Sequence, residues 1–363
     1  MTDQQHDVVI VGGGQAGLAI GRLLASAGRG FTILDAADSP AAAWRARWDS
    51  LRLFTPVRYD SLPGRAFPGD PDAYPGRDDV VAYLTGYARD FELPVELSST
   101  VRAVRRGEGG FVVELDDRTY EAAQVVVATG PFQVPRVPAV AERLDPGTAQ
   151  LHSSAYRGPG DVPDGPVLVV GGGNTGYQIA EELSRTHEVH LSIGARQTPL
   201  PQRIAGRDLF RYLEATGLMG KAAHSRIGQR MRARETLIGS SPRAARRHGI
   251  RIHGRTVEVA GSDVAFGDGT RLQPATVIWA TGFGLDHSWI DAPVFDANGH
   301  LRHDRGVTPV PGLSFLGLPW QHTRGSALLG WVKDDAEHLA QRICATAPAK
   351  RHGAAMPAGR PRP

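Results

Sequence analysis

One cysteine, Cys344, occurs in 363 residues. A lone thiol cannot close an internal disulfide, form a CxxC redox pair or complete a multi-cysteine zinc site, and it suits a reducing cytoplasm. Long apolar runs are missing too. None approaches the ~20 residues of a membrane-spanning helix, which excludes an integral helical membrane protein. The first seven residues are polar, and the four-residue apolar run after them is too short for a signal-peptide core. Lysine is nearly absent: Lys221, Lys333 and Lys350 are the only ones, and arginine carries the remaining positive charge. A formal net charge of +3 excludes a protein that coats itself in polyanion. The histidines follow no ligand spacing, so no metal site is expected, and no Ser-His-Asp set or carboxylate pair stands out. What is present is an ordinary globular composition, 41% hydrophobic and 22% charged, with length for two or three domains. There are also 44 glycines, several in patterned places.

The first pattern opens the chain. The apolar run 7–11 predicts a buried parallel strand. Gly12-Gly13-Gly14-Gln15-Ala16-Gly17 follows, then helical spacing over 18–26 and a second strand over 31–34 that ends at Asp35 and Ala36. A GxGxxG turn between strand and helix, with an acid ~20 residues on, is a dinucleotide-binding arrangement. Gly12 permits the tight turn, Gly14 lets a pyrophosphate approach the backbone, and Gly17 lets helix and strand pack closely. The helix N-terminus offers free N–H groups to phosphate. Asp35 can accept hydrogen bonds from ribose hydroxyls.

The pattern recurs. A strand over 166–170 leads into Gly171-Gly172-Gly173-Asn174-Thr175-Gly176, a helix over 177–185 and a strand over 189–193. No carboxylate closes that second strand; Gly194-Ala195-Arg196 stands there. An arginine suits a 2′-phosphate, and losing the acid removes a repulsive charge. FAD is therefore assigned to the first turn and NADPH to the second, with a solvated surface arginine as the other reading of Arg196. Two apolar strands ending in Ala-Thr-Gly, at Ala128-Thr129-Gly130 and Ala280-Thr281-Gly282, each lie more than 100 residues after their glycine turn. Small residues there let the chain pass close to a cofactor. The expected fold class is α/β, with two three-layer Rossmann-like dinucleotide-binding domains. The FAD domain is discontinuous, spanning 1–149 and 285–344, and encloses an NADPH domain over 150–284. Residues 345–363, rich in Ala, Pro and Arg, read as a disordered tail.

Elsewhere, 61–76 reads as a Pro/Gly-rich loop, 78–91 as a helix with acids at its start, and 111–115 with 118–122 as a hairpin. Residues 93–106 supply strand material that includes Val101, a candidate cofactor contact. The segment 207–255 is expected to be helical and carries nine arginines between 226 and 255. It reads as a solvated insertion beside the NADPH site, or as a nucleic-acid surface. A helix is expected from Arg324-Gly325-Ser326-Ala327 to Arg342, its N-terminus turned toward the flavin pyrimidine edge.

Two nucleotide turns with two Ala-Thr-Gly strands resemble the class B flavoprotein monooxygenases, which bind FAD and NADPH in separate Rossmann domains. His152-Ser153-Ser154-Ala155-Tyr156 is similar to the second half of that family's FxGxxxHxxx(Y/F) pattern, although Pro146 and Thr148 stand where Phe and Gly would be. Tyr156 in place of Trp implies the branch that oxygenates heteroatoms. Residues 44–56, beginning at Trp44, resemble the flavin-flanking segment, and 312–340 the closing FAD segment with Ala327. The Leu-Phe-Thr-Pro motif and short length look most like small bacterial flavin monooxygenases, including flavoproteins labelled for potassium transport. Phe54 departs from the pattern, since it replaces an Asn whose amide lies beside the flavin in the family. Ala42-Ala43 also replaces a Gly-Gly.

The resemblance implies hydride transfer from NADPH to FAD. A flavin C4a-(hydro)peroxide then forms with O2 and oxygenates an amine or sulfide. Phe54, Arg324 and Ser326 are the candidate residues around the flavin, with His322 in the same wall. His152 reads as a buried structural histidine. A reductase or oxidase without dithiol chemistry is the alternative, because Phe54 has no hydrogen bond to give an oxygen adduct. The expected partners are O2 and a small molecule, with a homodimer left open. Two outcomes are expected. Asp35→Ala should weaken FAD retention, measured as flavin lost on desalting. Arg196→Ala should raise KM for NADPH more than for NADH, and equal effects on both coenzymes would remove Arg196 from the 2′-phosphate.

Overall fold

The computed structural model describes residues 4–346 except 196 and 235. Two parallel β-sheets organise it, and each grows from one glycine turn. In the first, the strand Gln4–Val11 runs parallel to Phe31–Leu34 on one side and to Thr119–Val127 on the other. Val95–Glu96 adds beyond Phe31–Leu34, and Leu313–Phe315 beyond Thr119–Val127. In the second, Val167–Val170 lies between Val189–Ser192 and Thr276–Trp279, with Arg251–His253 and Ala149–His152 at the edges. Three of these strands are buried at every residue, as parallel strands covered on both faces must be. Val167–Val170 is accordingly aliphatic at every position, while His190, Ser192 and Thr276 are polar side chains buried in the other two strands.

The two sheets share one strand order but differ in how the fifth strand is supplied. In the second sheet it precedes the glycine turn, as Ala149–His152. In the first it comes from the far end of the chain, as Leu313–Phe315. The first sheet also continues past its parallel core. Thr119–Val127 pairs antiparallel with Gly110–Glu114, which pairs with Ala103–Gly107 and then Ile290–Asp291. The 111–122 hairpin is thus present as expected.

The helix Gln15–Ser26 follows the first turn and Asn174–Leu183 the second. The first packs against the C-terminal helix Val332–Ala345, whose Val332, Ala336, Leu339 and Ile343 are buried at helical spacing. The helix Arg77–Asp90 carries Asp78 and Asp79 in its first turn, where their charges suit the positive end of the helix dipole.

Three expectations are corrected. Val101 is not in a strand; it sits in the loop before Ala103–Gly107, half-buried against the first sheet's core. The 207–255 segment is not continuously helical. Three short helices, Leu209–Ala215, Arg226–Arg232 and Pro242–Arg247, alternate with strands at Thr236–Ile238 and Arg251–His253. Glycines 217, 239 and 249, all at positive φ, interrupt any longer helix. The C-terminal helix begins at Val332, with Trp331 as its N-cap, not at Arg324. A turn held by Ser326 ends the run instead: its hydroxyl accepts hydrogen bonds from the His322 and Thr323 amides, each at 3.0 Å. The helix extends to Ala345, and the rest of the expected tail from 347 lies outside the described residues.

The same contact closes both glycine turns. A Cβ at Gly17 would overlap the Gly12 carbonyl, and one at Gly176 would overlap that of Gly171. Gly17→Ala and Gly176→Ala should each cost about 1–3 kcal/mol, read as a lower midpoint in urea. Unchanged midpoints would mean that the helices can slide to admit a methyl group.

Candidate functional site

The first turn is shaped by backbone. Gly12, at φ +109°, would carry a Cβ only 2.6 Å from the Ala128 carbonyl oxygen, so the first Ala-Thr-Gly element passes directly across the turn. Gly14 caps the helix with no side-chain hydrogen bond, and nothing lies within 4 Å of where its Cβ would be. That leaves bare amides and open space where a diphosphate needs both. Asp35 is fixed at the strand's end. Its Oδ2 accepts from the Gly13 amide at 2.6 Å and its Oδ1 from the Ala37 amide at 2.9 Å. Each carboxylate oxygen keeps further acceptor capacity for a ribose, and Ala36 is exposed beside it. Gln15 ties together segments far apart in sequence. Its Oε1 accepts from Trp44 Nε1 at 3.1 Å, and its Nε2 donates to the Ala327 carbonyl at 3.0 Å. Ala16 lies against the Gly317 turn. Val101 stands apart from this hydrogen-bonded group.

The second turn repeats the first. Gly171, at φ +128°, would drive a Cβ into the Ala280 carbonyl, while Gly173 has nothing within 4 Å and no side-chain cap. Asn174 Oδ1 accepts from the Ile238 amide at 3.0 Å, which anchors the 207–255 segment to this turn. Thr175 is half-buried at the start of the helix. Gly130 and Gly282, the last residues of the two Ala-Thr-Gly elements, share φ near +71° and +79° and are open on the Cβ side. Gln133 Nε2 donates to Thr129 Oγ1 and to the Gly130 carbonyl, both at 2.9 Å. Thr281 Oγ1 donates to the Arg136 carbonyl. Arg196 lies outside the described residues.

The 44–56 segment spans both sheets. Trp48 and Leu51 are buried in the second sheet's core with Tyr156 and Tyr177. Tyr156 itself donates to Glu182 at 2.8 Å, so it serves packing. Arg47, from the same segment, lies over Phe132 at 4.4 Å and Phe283 at 5.4 Å. Those rings follow the first and second Ala-Thr-Gly elements, so a cation–π contact bridges the two crossings. Burial holds the Arg47 guanidinium below its usual value, and the nearby Arg157 adds to this.

Phe54 sits in an aromatic cluster that the sequence did not announce. Its ring stacks on Phe210 at 6.0 Å, and Phe210 contacts Tyr59 and Trp331. Gln202 Nε2 donates to the Phe54 carbonyl at 2.6 Å. The inserted segment thus reaches back onto the flavin-flanking one. A cleft of about 430 Å³ opens beside Tyr59 and Trp331, bordered by Arg58, Arg211, Glu214 and Lys333. Burial and then Glu214 push the Tyr59 phenol up to about 12. Asp60 is fully buried and accepts from Thr55 Oγ1 at 2.6 Å. Burial pushes its carboxyl up to about 8 against that hydrogen bond. Arg324 is half-buried, and burial lowers its guanidinium. Among the described residues no group of three His, Cys, Asp or Glu is placed to hold a metal ion.

These cradles fit two dinucleotides and define a two-nucleotide oxidoreductase. Residues 9–203 match the family described as pyridine nucleotide-disulphide oxidoreductase. An uncharacterized CzcO-like oxidoreductase of Geobacillus kaustophilus (strain HTA426) is 43% identical over 344 residues, covering 93% of this chain and 99% of that protein. The indole-3-pyruvate monooxygenase YUCCA1 of Oryza sativa subsp. japonica is 32% identical over 338 residues, covering 84% and 82%. The solved flavin-containing monooxygenase of Stenotrophomonas maltophilia aligns with a TM-score of 0.79 at 29% identity, covering 94% of this chain and 99% of that one. The chain belongs to the pyridine nucleotide-disulphide oxidoreductase family, with the fold of its flavin-dependent monooxygenases.

His152 provides a pH test of the junction between the two units. Its Nε2–H donates to the Gly282 carbonyl at 3.0 Å, and its Nδ1 accepts from the Ser154 amide at 3.1 Å. Both bonds belong to one neutral tautomer. Burial, followed by Arg47, lowers its pKa from 6.5 against the opposing Gly282 bond. The folded state therefore binds this proton less readily than the unfolded state. The stability it contributes is complete above 6.5 and is lost as pH falls from there toward the depressed folded value. His152→Gln should flatten that part of the Tm–pH curve, whereas an unchanged slope would assign the acid sensitivity to other histidines.

Proposed function

We propose that this chain is an FAD- and NADPH-dependent monooxygenase that transfers one atom of O2 to a soft nucleophile, an amine or a sulfide, in a small molecule. The observation that carries this reading is the pair of matched glycine cradles in one chain that has a single cysteine, Cys344. A flavin beside a nicotinamide with no dithiol to reduce is suited to O2 as the acceptor. FAD would occupy the cradle of Gly12, Gly14, Gly17 and Asp35, held by 1–149 with 285–344. NADPH would occupy the cradle of Gly171, Gly173 and Gly176, held by 150–284. The cytoplasm suits such an enzyme, and no helix among the described residues is long and apolar enough to cross a membrane.

When bound, FAD supplies the redox chemistry: it accepts hydride from NADPH and reacts with O2 through C4a. The protein contributes placement and dryness. The Gly14 and Gly173 helix ends offer amides to the two diphosphates. Gln15 joins Trp44 to the 327 turn, so the flavin-flanking and closing segments hold one position. Arg324, half-buried beside that turn, would offer a cation to negative charge on a reduced ring. Phe54 and Phe210 form an apolar wall that excludes water.

Phe54 also supports the second reading. An aromatic ring packed on another offers no hydrogen-bond donor where it stands, which would favour reduction of O2 to peroxide over oxygen transfer. Stopped-flow mixing of reduced enzyme with O2, with and without methyl phenyl sulfide or benzylamine, separates the two. The monooxygenase should show a flavin–oxygen adduct absorbance that decays faster with the substrate and yields oxygenated product. Quantitative hydrogen peroxide with no adduct would replace it with an NADPH oxidase.

A further inference from the structure

One cleft lies apart from both glycine cradles and carries cations without counter-ions on its walls. It encloses about 310 Å³ between the 302–309 loop and the helix Val332–Ala345, and Arg302, His303, His338 and Arg342 line it. That volume is at the small end of ligand sites. Arg302 and Arg342 make no side-chain hydrogen bond or ion pair among the described residues. Asp304 is the one acid among the lining residues, so positive charge outnumbers negative there.

The loop wall is held in shape. Asp304 and Val307 exchange backbone hydrogen bonds, each at 2.9 Å, across Arg305 and Gly306. Those two residues, at φ +46° and +88°, make a tight turn. Arg305 is already engaged: its Nε donates to Asp335 Oδ1 and its Nη2 to the Asp334 carbonyl, both at 2.8 Å. The Gly306 amide donates to His303 Nδ1 at 3.2 Å. The neutral ring therefore carries its proton on Nε2, which has no acceptor among the described residues. Burial lowers the His303 pKa against Asp304 and Asp335, and Arg232 of the inserted segment lowers it further.

The helix supplies the facing wall. His338 and Arg342 stand four residues apart on one helix face. His338 has no hydrogen-bond or ion-pair partner among the described residues. Burial, then Arg305 and Arg342, lower its pKa from 6.5 against Asp335 and Asp304. An anion between the walls would meet two unpaired guanidiniums and an imidazole N–H. It would also offset the two arginines at His338 and draw a proton onto that ring.

We infer that this cleft binds the dianionic group of a small molecule, a phosphate or a dicarboxylate, between Arg302 and Arg342, with His303 and His338 as further donors. The site is separate from the proposed reaction.

The test reads His338 itself. Its imidazole signal, assigned by its loss in His338→Gln, is followed by NMR on FAD-loaded protein saturated with NADP⁺, which keeps added anions out of the cradles. Sulfate is the first probe, because its charge does not change near neutral pH, and malonate is the second. Sodium chloride holds the ionic strength. Sulfate should raise the His338 pKa saturably. It should bind about threefold more tightly at pH 6 than at pH 8, because the bound state holds the proton more firmly. The double variant Arg302→Gln with Arg342→Gln should lose saturable binding while FAD content and Tm stay unchanged. Saturation by sulfate supports the site with a phosphate-type ligand, and saturation by malonate alone supports it with a dicarboxylate. A His338 signal that answers neither probe, or that drifts with concentration without saturating, as ionic screening does, overturns the site. Equal binding by the double variant overturns it too.

Discussion

The structure depends on a close approach of backbone to backbone, made twice. A carbonyl at the start of an Ala-Thr-Gly element, Ala128 or Ala280, occupies the volume a side chain would need on the first glycine of each turn. Hydrogen bonds from the Ala128 amide to the Val11 carbonyl at 2.7 Å, and from Ala280 to Val170 at 2.8 Å, fix that approach. Three parallel strands therefore end at one level. The helix that follows starts with bare amides at the bottom of an open concavity. Open space at Gly14 and Gly173 and crowding at Gly12, Gly17, Gly171 and Gly176 are two sides of one constraint. The backbone must close behind the nucleotide and stay clear in front of it.

Around these two rigid cradles, the connecting segments do the joining. The 44–56 stretch leaves the first unit, buries Trp48 and Leu51 in the second unit's core and returns at Phe54. The 207–255 insertion makes the reverse journey, placing Phe210 on Phe54 and tying Ile238 to Asn174. Arg47 lies over rings from both crossings. The surroundings of Phe54 are therefore composite, with contributions from both units.

The parts legible in the sequence were those governed by local rules. Buried parallel strands read as unbroken apolar runs. Glycines at fixed spacing marked the turns, and Asp35 adjoined its strand, so spacing alone found it. Gln15, Trp44 and Ala327 could each be named, but the hydrogen bonds joining them cross up to 312 residues of chain. The helix expected from Arg324 starts only at Val332, because the chain before it closes in separate turns, the Ser326 amide donating to the Thr323 carbonyl at 3.3 Å and the Leu328 amide to the Gly325 carbonyl at 2.7 Å. The 207–255 segment looked helical by composition, yet positive-φ glycines cut it into short pieces.

The space over the second glycine of each turn, closed by Asp35 at Gly13, marks the boundary between the two kinds of information. The sequence by itself determined that there are two dinucleotide turns, where each begins, and that the second strand ends without an acid. These follow from glycine sterics and apolar periodicity, which act over a few residues. Only the tertiary structure decided that the Gln197 amide lies over Gly172 beside Ile193, because a side chain from beyond the strand folds back there and no spacing rule encodes that return. It also decided that Phe54 is walled by the inserted segment and that one half-buried arginine, Arg47, spans both crossings. Those contacts arise from packing between segments more than 80 residues apart, and packing reads shape, which a linear pattern does not carry.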